Sequence, residues 1–254
     1  MLADVLQGEI FAFFLVFARL GAALLLLPGF GEIFVSPRVR LLFAMVLTLT
    51  ITPIVEASLP TLPTSVITLA VLIIGEIIIG LFLGALARFL ISMLQTAGML
   101  MAHATNLAAA QIFDPAQGTQ GSLPGNFLTL MAILLIFATN LHHVMLAALV
   151  GSYETFPAGT TPPLGDLAQL ATQTVSGGFA LALQLAAPML VVALLFQVVL
   201  GLMARLMPQM HVFFIGMPLQ ILLGFAVFAI VLATAMAWYL ERFQEPFTLF
   251  LPGG

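Results

Sequence analysis

From residue 66 the chain stays apolar as far as about residue 110, broken only by Glu76, Arg88 and a few uncharged polar side chains. That run is about twice the roughly 20 residues a helix needs to cross the hydrocarbon core of a bilayer. Five other apolar runs flank it, at 10–28, 41–55, 127–150, 175–206 and 212–238. Together they make the chain a polytopic, all-α membrane protein of about six hydrophobic helical segments. The composition agrees. Of 254 residues 62% are hydrophobic and 6% charged, the mean hydropathy is +1.22, and an average soluble chain carries about 25% charged residues.

Several function classes fall away on residue types alone. With no cysteine, disulfides, thiolate metal sites and cysteine nucleophiles are excluded. All six basic residues are arginine, so lysine chemistry is absent too, and a net charge of −4 is no footing for nucleic acid. No nucleophile elbow, nucleotide loop or facing carboxylate dyad occurs, and Ser36 and Ser92 have no evident base, so the chain reads as no enzyme and calls for no cofactor. His142 and His143 are adjacent, so on a helix they point about 100° apart and make a poor metal site. The N-terminus is acidic where a signal peptide is basic, so the first run is expected to be retained.

Punctuation between the runs is clear. Pro28-Gly29-Phe30-Gly31 stops the first, and Ser36-Pro37 fits an N-cap with proline at the first helical position. Residues 56–64 form a Pro/Ser/Thr loop, and 151–166 a second loop with three prolines. The second run is short for an unassisted span. In the third, Gly80 and Gly84 permit close helix contact and Gly98 is a candidate bend. Arg38 and Arg40 favour the first link as cytoplasmic. There is no clean internal repeat.

Polar residues inside such runs are the candidate functional groups. Arg88, Ser92, Gln95, His103 and Asn106, with Met99 among them, fall on one helical stripe about 80° wide. The stripe is either the wall of an aqueous path or a polar seam between packed helices. Arg19 and Glu76 are the other charges within apolar runs. They read as a proton relay or, the favoured reading, as an ion pair, within the chain or with a partner. Arg205 lies at the break between the last two runs with Pro208 and Gln209, as a helix cap or a subunit contact.

The longest polar interruption is central, at residues 107–126. Its Gln111, Ile112, Phe113, Asp114, Pro115, Gly118 and Gly121 combine apolar bulk, a helix stop and backbone freedom, and Leu123-Pro124-Gly125 is expected to stay non-helical. Gln111-Ile112-Phe113-Asp114-Pro115 followed by Gly118 resembles the Phe-x-Asp-Pro loop of the FliR/SctT family of type III secretion export apparatus subunits. Arg205 to Pro208-Gln209, then Gly216-Met217-Pro218, resembles that family's Asn-Arg-x-x-Pro-Gln segment ending in Ile-Gly-x-Pro, with Ala204 where the asparagine stands. Pro37-Arg38-Val39-Arg40 and Phe137 through His142 match in type and place.

That resemblance implies bent helical hairpins, with a FliP-like part at 1–170 and a FliQ-like hairpin at 171–254. It implies a subunit that, with FliP-like, FliQ-like and FlhB-like partners, builds a pore passing unfolded flagellar proteins across the bacterial inner membrane. The central loop would be the plug, and the location the flagellar basal body. An injectisome subunit of the SctT kind fits the same pattern. A stand-alone secondary transporter using Glu76 and Arg88 is the alternative from another class, and the missing repeat counts against it.

Overall fold

The structure is a computed structural model that describes residues 2–107, 122–160, 162–207 and 212–251. Among these there are seven α-helices: α1 Leu2–Leu26, α2 Pro37–Val55, α3 Val66–Ala104, α4 Leu123–Ala138, α5 Leu141–Thr155, α6 Leu164–Leu206 and α7 Val212–Thr248. A single 3₁₀ turn, Glu56–Ser58, follows α2. Five helices are long and apolar enough to cross a membrane. The pair α4 and α5, bent by 75°, makes a sixth candidate. The chain is therefore an all-α, multi-pass membrane protein.

Each boundary has a local cause. α1 ends where Gly29 takes φ +81°, a conformation that side chains with a Cβ resist, and a Cβ there would also collide with the Phe137 ring. Phe30 then stacks on Phe43 at 5.1 Å. Ser36 caps α2 by accepting from the Val39 amide at 3.4 Å, with Pro37 at the first helical position. Inside α2 the buried hydroxyls of Thr48 and Thr52 donate to the carbonyls four residues back, at 2.7 and 2.8 Å, so neither enters the apolar layer unpaired.

Three expectations need correction. Leu123-Pro124-Gly125-Asn126 is helix, because Ser122 accepts from the Gly125 amide at 3.0 Å as an N-cap and proline in a first turn forfeits no helical bond. Gly98 does not bend α3. It lies within an unbroken helix, where a Cβ would collide with the backbone of Gly125. The fifth run begins at Leu164 rather than 175: Asp166, Gln169, Thr172 and Gln173 look like loop in sequence but form the first turns of α6. The break in the fourth run falls at Asn140, which takes φ +60° between α4 and α5.

Contacts group the chain into two units. One holds Met1–Leu90, Ile136–Thr174 and Phe243–Gly254, and the other Ile91–Leu135 and Val175–Arg242. The grouping differs from a division at 170/171, which concerns resemblance to partner subunits and not compactness. In the first unit the buried core includes Leu15, Val16, Leu20, Leu24, Ile79 and Leu83. Gly80 and Gly84 bring α3 against α1, where a Cβ would meet the carbonyl oxygens of Arg19 and Ala23. In the second unit Leu94, Ala97, Leu128, Ala132, Leu185 and Ala186 are buried. Much of α6 and α7 is apolar yet exposed, including Leu194, Leu195, Leu222 and Ile230. A surface of that kind belongs against lipid or another subunit.

Candidate functional site

In the first unit the polar chemistry centres on Arg19. Its guanidinium is fully buried, and Glu76 is 2% exposed. Arg19 Nε donates to Glu76 Oε2 at 2.6 Å and Nη2 donates to Oε1 at 3.1 Å, a bidentate pair from α1 to α3. The remaining edge reaches α5 and its C-terminus. Nη1 donates to Ser152 Oγ at 3.1 Å and Nη2 to the Phe156 carbonyl at 2.9 Å. The Tyr153 ring lies 3.8 Å from the guanidinium carbon, completing the cage with a cation–π contact. Phe250 of the C-terminal tail packs on Phe156 at 5.9 Å between ring centroids. One buried cation thus ties three helices together, with its charge matched and four of its five N–H groups donating.

Arg88 lies elsewhere in this unit. It is 48% exposed and forms an ion pair with Glu32 of the link between α1 and α2. The same link is closed by Arg40, which donates to the Phe30 carbonyl at 2.8 Å and the Glu32 carbonyl at 3.0 Å. His142 stacks on Phe137 at 4.8 Å and lies 4.1 Å from the His143 ring. These contacts give the histidines a packing role at the bend.

In the second unit two side-chain amides act as latches. Gln95 Nε2 donates to Asn126 Oδ1 at 3.1 Å and to Thr129 Oγ1 at 3.0 Å, joining α3 to α4. Asn106 takes φ +57° just past the end of α3, a conformation asparagine tolerates. Its Nδ2 donates to Gln220 Oε1 at 2.7 Å, while Gln220 Nε2 donates to the Ala104 carbonyl at 2.7 Å. Gln220 is 3% exposed on α7, and the sequence reading missed it. The signal was available, because Gln220 is a strongly polar side chain deep in an apolar run. An apolar cavity of about 480 Å³ lies beside these latches, lined by Thr105, Leu107, Pro124, Phe127, Met189 and Phe228 among others.

The predicted stripe divides by environment. Arg88, Ser92, Met99 and His103 are exposed, whereas Gln95 and Asn106 are half-buried against the partners just described. Upstream on α3 the same helical face carries Ile74, Ile78, Leu81 and Ala85, also exposed. One face of one helix therefore changes from apolar to polar at Arg88. The central-loop residues Gln111, Ile112, Phe113, Asp114, Pro115, Gly118 and Gly121 lie outside the described residues, as do Pro208 and Gln209. Arg205 is exposed in the last turn of α6, where a cation complements the helix dipole.

Comparison with known proteins agrees with this architecture. Residues 10–246 match the model of the family described as "Bacterial export proteins, family 1". The chain is 36% identical to the flagellar biosynthetic protein FliR of Caulobacter vibrioides, over 95% of this chain and 96% of that one. It is 31% identical to the FliR of Bacillus subtilis, over 84% and 83%. It is also 28% identical to the Yop proteins translocation protein T of Yersinia pestis, over 87% and 85%.

Proposed function

The chain belongs to family 1 of the bacterial export proteins, and from that premise we propose that it completes, with FliP-like and FliQ-like subunits and beside a FlhB-like one, a helical pore for unfolded flagellar proteins. It is a multi-pass inner-membrane subunit of a type III export apparatus. The flagellar system is favoured over an injectisome because identity to the Caulobacter FliR, at 36%, exceeds that to the Yersinia translocation protein, at 28%.

The observation that carries the pore reading is the exposed polar face of α3. Arg88 and His103 are exposed on that face, and a lipid-facing position would be costly for either. Water, in a path bordered by other subunits, is the environment that suits them. The FliP-like part is assigned to 1–170, and the last two helices form the FliQ-like hairpin, with Arg205, Pro208 and Gln209 at its turn as a subunit contact.

The central segment, 107–126, is assigned the role of plug. A pore wide enough for an unfolded polypeptide leaks ions unless it is closed, and the closing element must be movable. Support comes from the segment's composition and from the latches at its two margins, Asn106–Gln220 and Gln95–Asn126. They tie down the helix ends that bound the segment. Arg19 and Glu76 are assigned to architecture rather than proton transfer, since each is the other's partner.

The test is conductance. Deleting residues 111–120 spares the Ser122 cap, so assembly is expected to survive. Bilayers containing the deleted complex should pass small ions that the intact complex blocks. An assembled deletion complex no more conductive than the intact one overturns the plug assignment.

A further inference from the structure

The first unit carries a groove that neither the pore nor the plug uses. It has a volume of about 640 Å³ and is walled by α1, α2 and α3, with Phe14, Phe17 and Gly21 on one side, Ala44 on another and Ile77 on the third. At 1.5 Å per residue, positions 14 to 25 of α1 give it a length of roughly 16 Å. All three walls are candidate membrane spans. The lining is apolar except at one end, where Arg40 contributes, in the first turn of α2.

Arg40 is unusually well placed to hold an anion. Two of its five N–H groups are fixed by the Phe30 and Glu32 carbonyls, at 2.8 and 3.0 Å, so the guanidinium is held in orientation without losing its charge. The nearby carboxylate, Glu32, is taken by Arg88. No described carboxylate pairs with Arg40, and exposed Arg38 adds a second positive charge two residues away. A fixed cation at the start of a span, above an apolar slot between helices, is the arrangement that recognises an anionic headgroup with its acyl chain attached.

We propose that this groove is a binding site for an anionic phospholipid, with the phosphate on Arg40 and one acyl chain lying along α1 between α2 and α3. The lipid would fill the gap between three helices that otherwise leave Phe14, Leu25 and Leu41 about half exposed.

The export assembly containing this chain can be purified in detergent and titrated with dioleoyl phosphatidylglycerol, dioleoyl phosphatidylcholine or inorganic phosphate, with bound lipid counted by native mass spectrometry. Phosphatidylglycerol should bind at least tenfold more tightly than phosphatidylcholine. Arg40→Gln should erase that preference and Arg40→Lys restore much of it. Ala18→Phe, which fills the slot, should weaken both lipids in an assembly of unchanged composition. Equal affinity for the two lipids, or undiminished binding to the Ala18→Phe protein, overturns the proposal. So does displacement of the lipid by millimolar inorganic phosphate, which would make Arg40 a phosphate site without a lipid. A cysteine at Phe14 that cross-links to a neighbouring subunit in the assembly also overturns it, because the groove would then hold protein.

Discussion

Arg19 and Glu76 are separated by 57 residues in the chain and joined by two hydrogen bonds in the fold, both in a region where Arg19 has no exposed surface. A pair of this kind matters most when half of it is removed. Intact, its Coulomb energy is largely offset by the desolvation of two ions; broken, it leaves one buried charge uncompensated, at about 3–5 kcal/mol.

Glu76→Gln should therefore lower the thermal stability of the detergent-solubilised protein by an amount in that range. The double variant Arg19→Met with Glu76→Leu should recover most of the loss. Export per assembled complex in a flagellated host is expected to stay within about twofold for the double variant. An assembled double variant that exports nothing would return these residues to a proton-relay role.

Gly98 offers a test of packing within the second unit. A Cβ there meets the Gly125 backbone, which has no flexible side chain to yield, whereas a Cβ at Gly177 meets nothing within 4 Å. Gly98→Ala should cost about 1–3 kcal/mol through overpacking. Gly177→Ala, in an exposed stretch of α6, should be neutral or stabilising by up to about 1 kcal/mol through helix propensity. Comparing melting temperatures of the two isolated variants decides the matter, and equal shifts would mean that α3 and α4 are not in close contact at Gly98.

These sites differ in how far the residue pattern alone could reveal them. The apolar runs located the candidate spans found among the described residues, because length and hydropathy are what the bilayer selects. Pro28-Gly29 and Ser36-Pro37 located two helix ends, because their backbone preferences are local. Leu123-Pro124-Gly125 misled, since a proline that breaks a helix interior is harmless in a first turn, and only the Ser122 cap distinguishes the two. The start of α6 was hidden by Asp166, Gln169 and Thr172, whose polarity resembles a loop when no partner is in view. That Arg19 and Glu76 stood out as charges was evident in sequence. Their distance from one another was not, and neither Ser152 nor Tyr153 carried a signal connecting it to Arg19.

Gln220 is the residue that sequence reasoning should have singled out. It makes two hydrogen bonds of 2.7 Å, to the Asn106 side chain and the Ala104 carbonyl, and it is 3% exposed. Gln220→Leu keeps its bulk and removes both bonds, leaving a buried backbone carbonyl unpaired at about 1–3 kcal/mol. The same change frees the margin of the central segment. The expected result is a complex that assembles at reduced yield and shows raised ion conductance. Raised conductance with no loss of stability would mean that Gln220 gates without holding, and loss of stability with unchanged conductance would uncouple this latch from closure.

The polar face of α3 can be separated from a buried seam by chemistry, since the chain has no native cysteine to give background. Ser92 and His103 occupy the polar end of one helical face, and Ile74 and Ile78 occupy its apolar end. All four are exposed in the chain by itself, so differences that arise in the assembly report their surroundings and not their burial in this fold. Single cysteines are placed at each position and treated with a charged, membrane-impermeant thiol reagent in the open complex. Only a thiol that water reaches can ionise and react at an appreciable rate. Ser92→Cys and His103→Cys should label at least tenfold faster than Ile74→Cys and Ile78→Cys. If all four label slowly, the polar face is sealed against another subunit and the lumen assignment fails. If all four label alike and fast, the change of face at Arg88 does not mark the boundary between lipid and water.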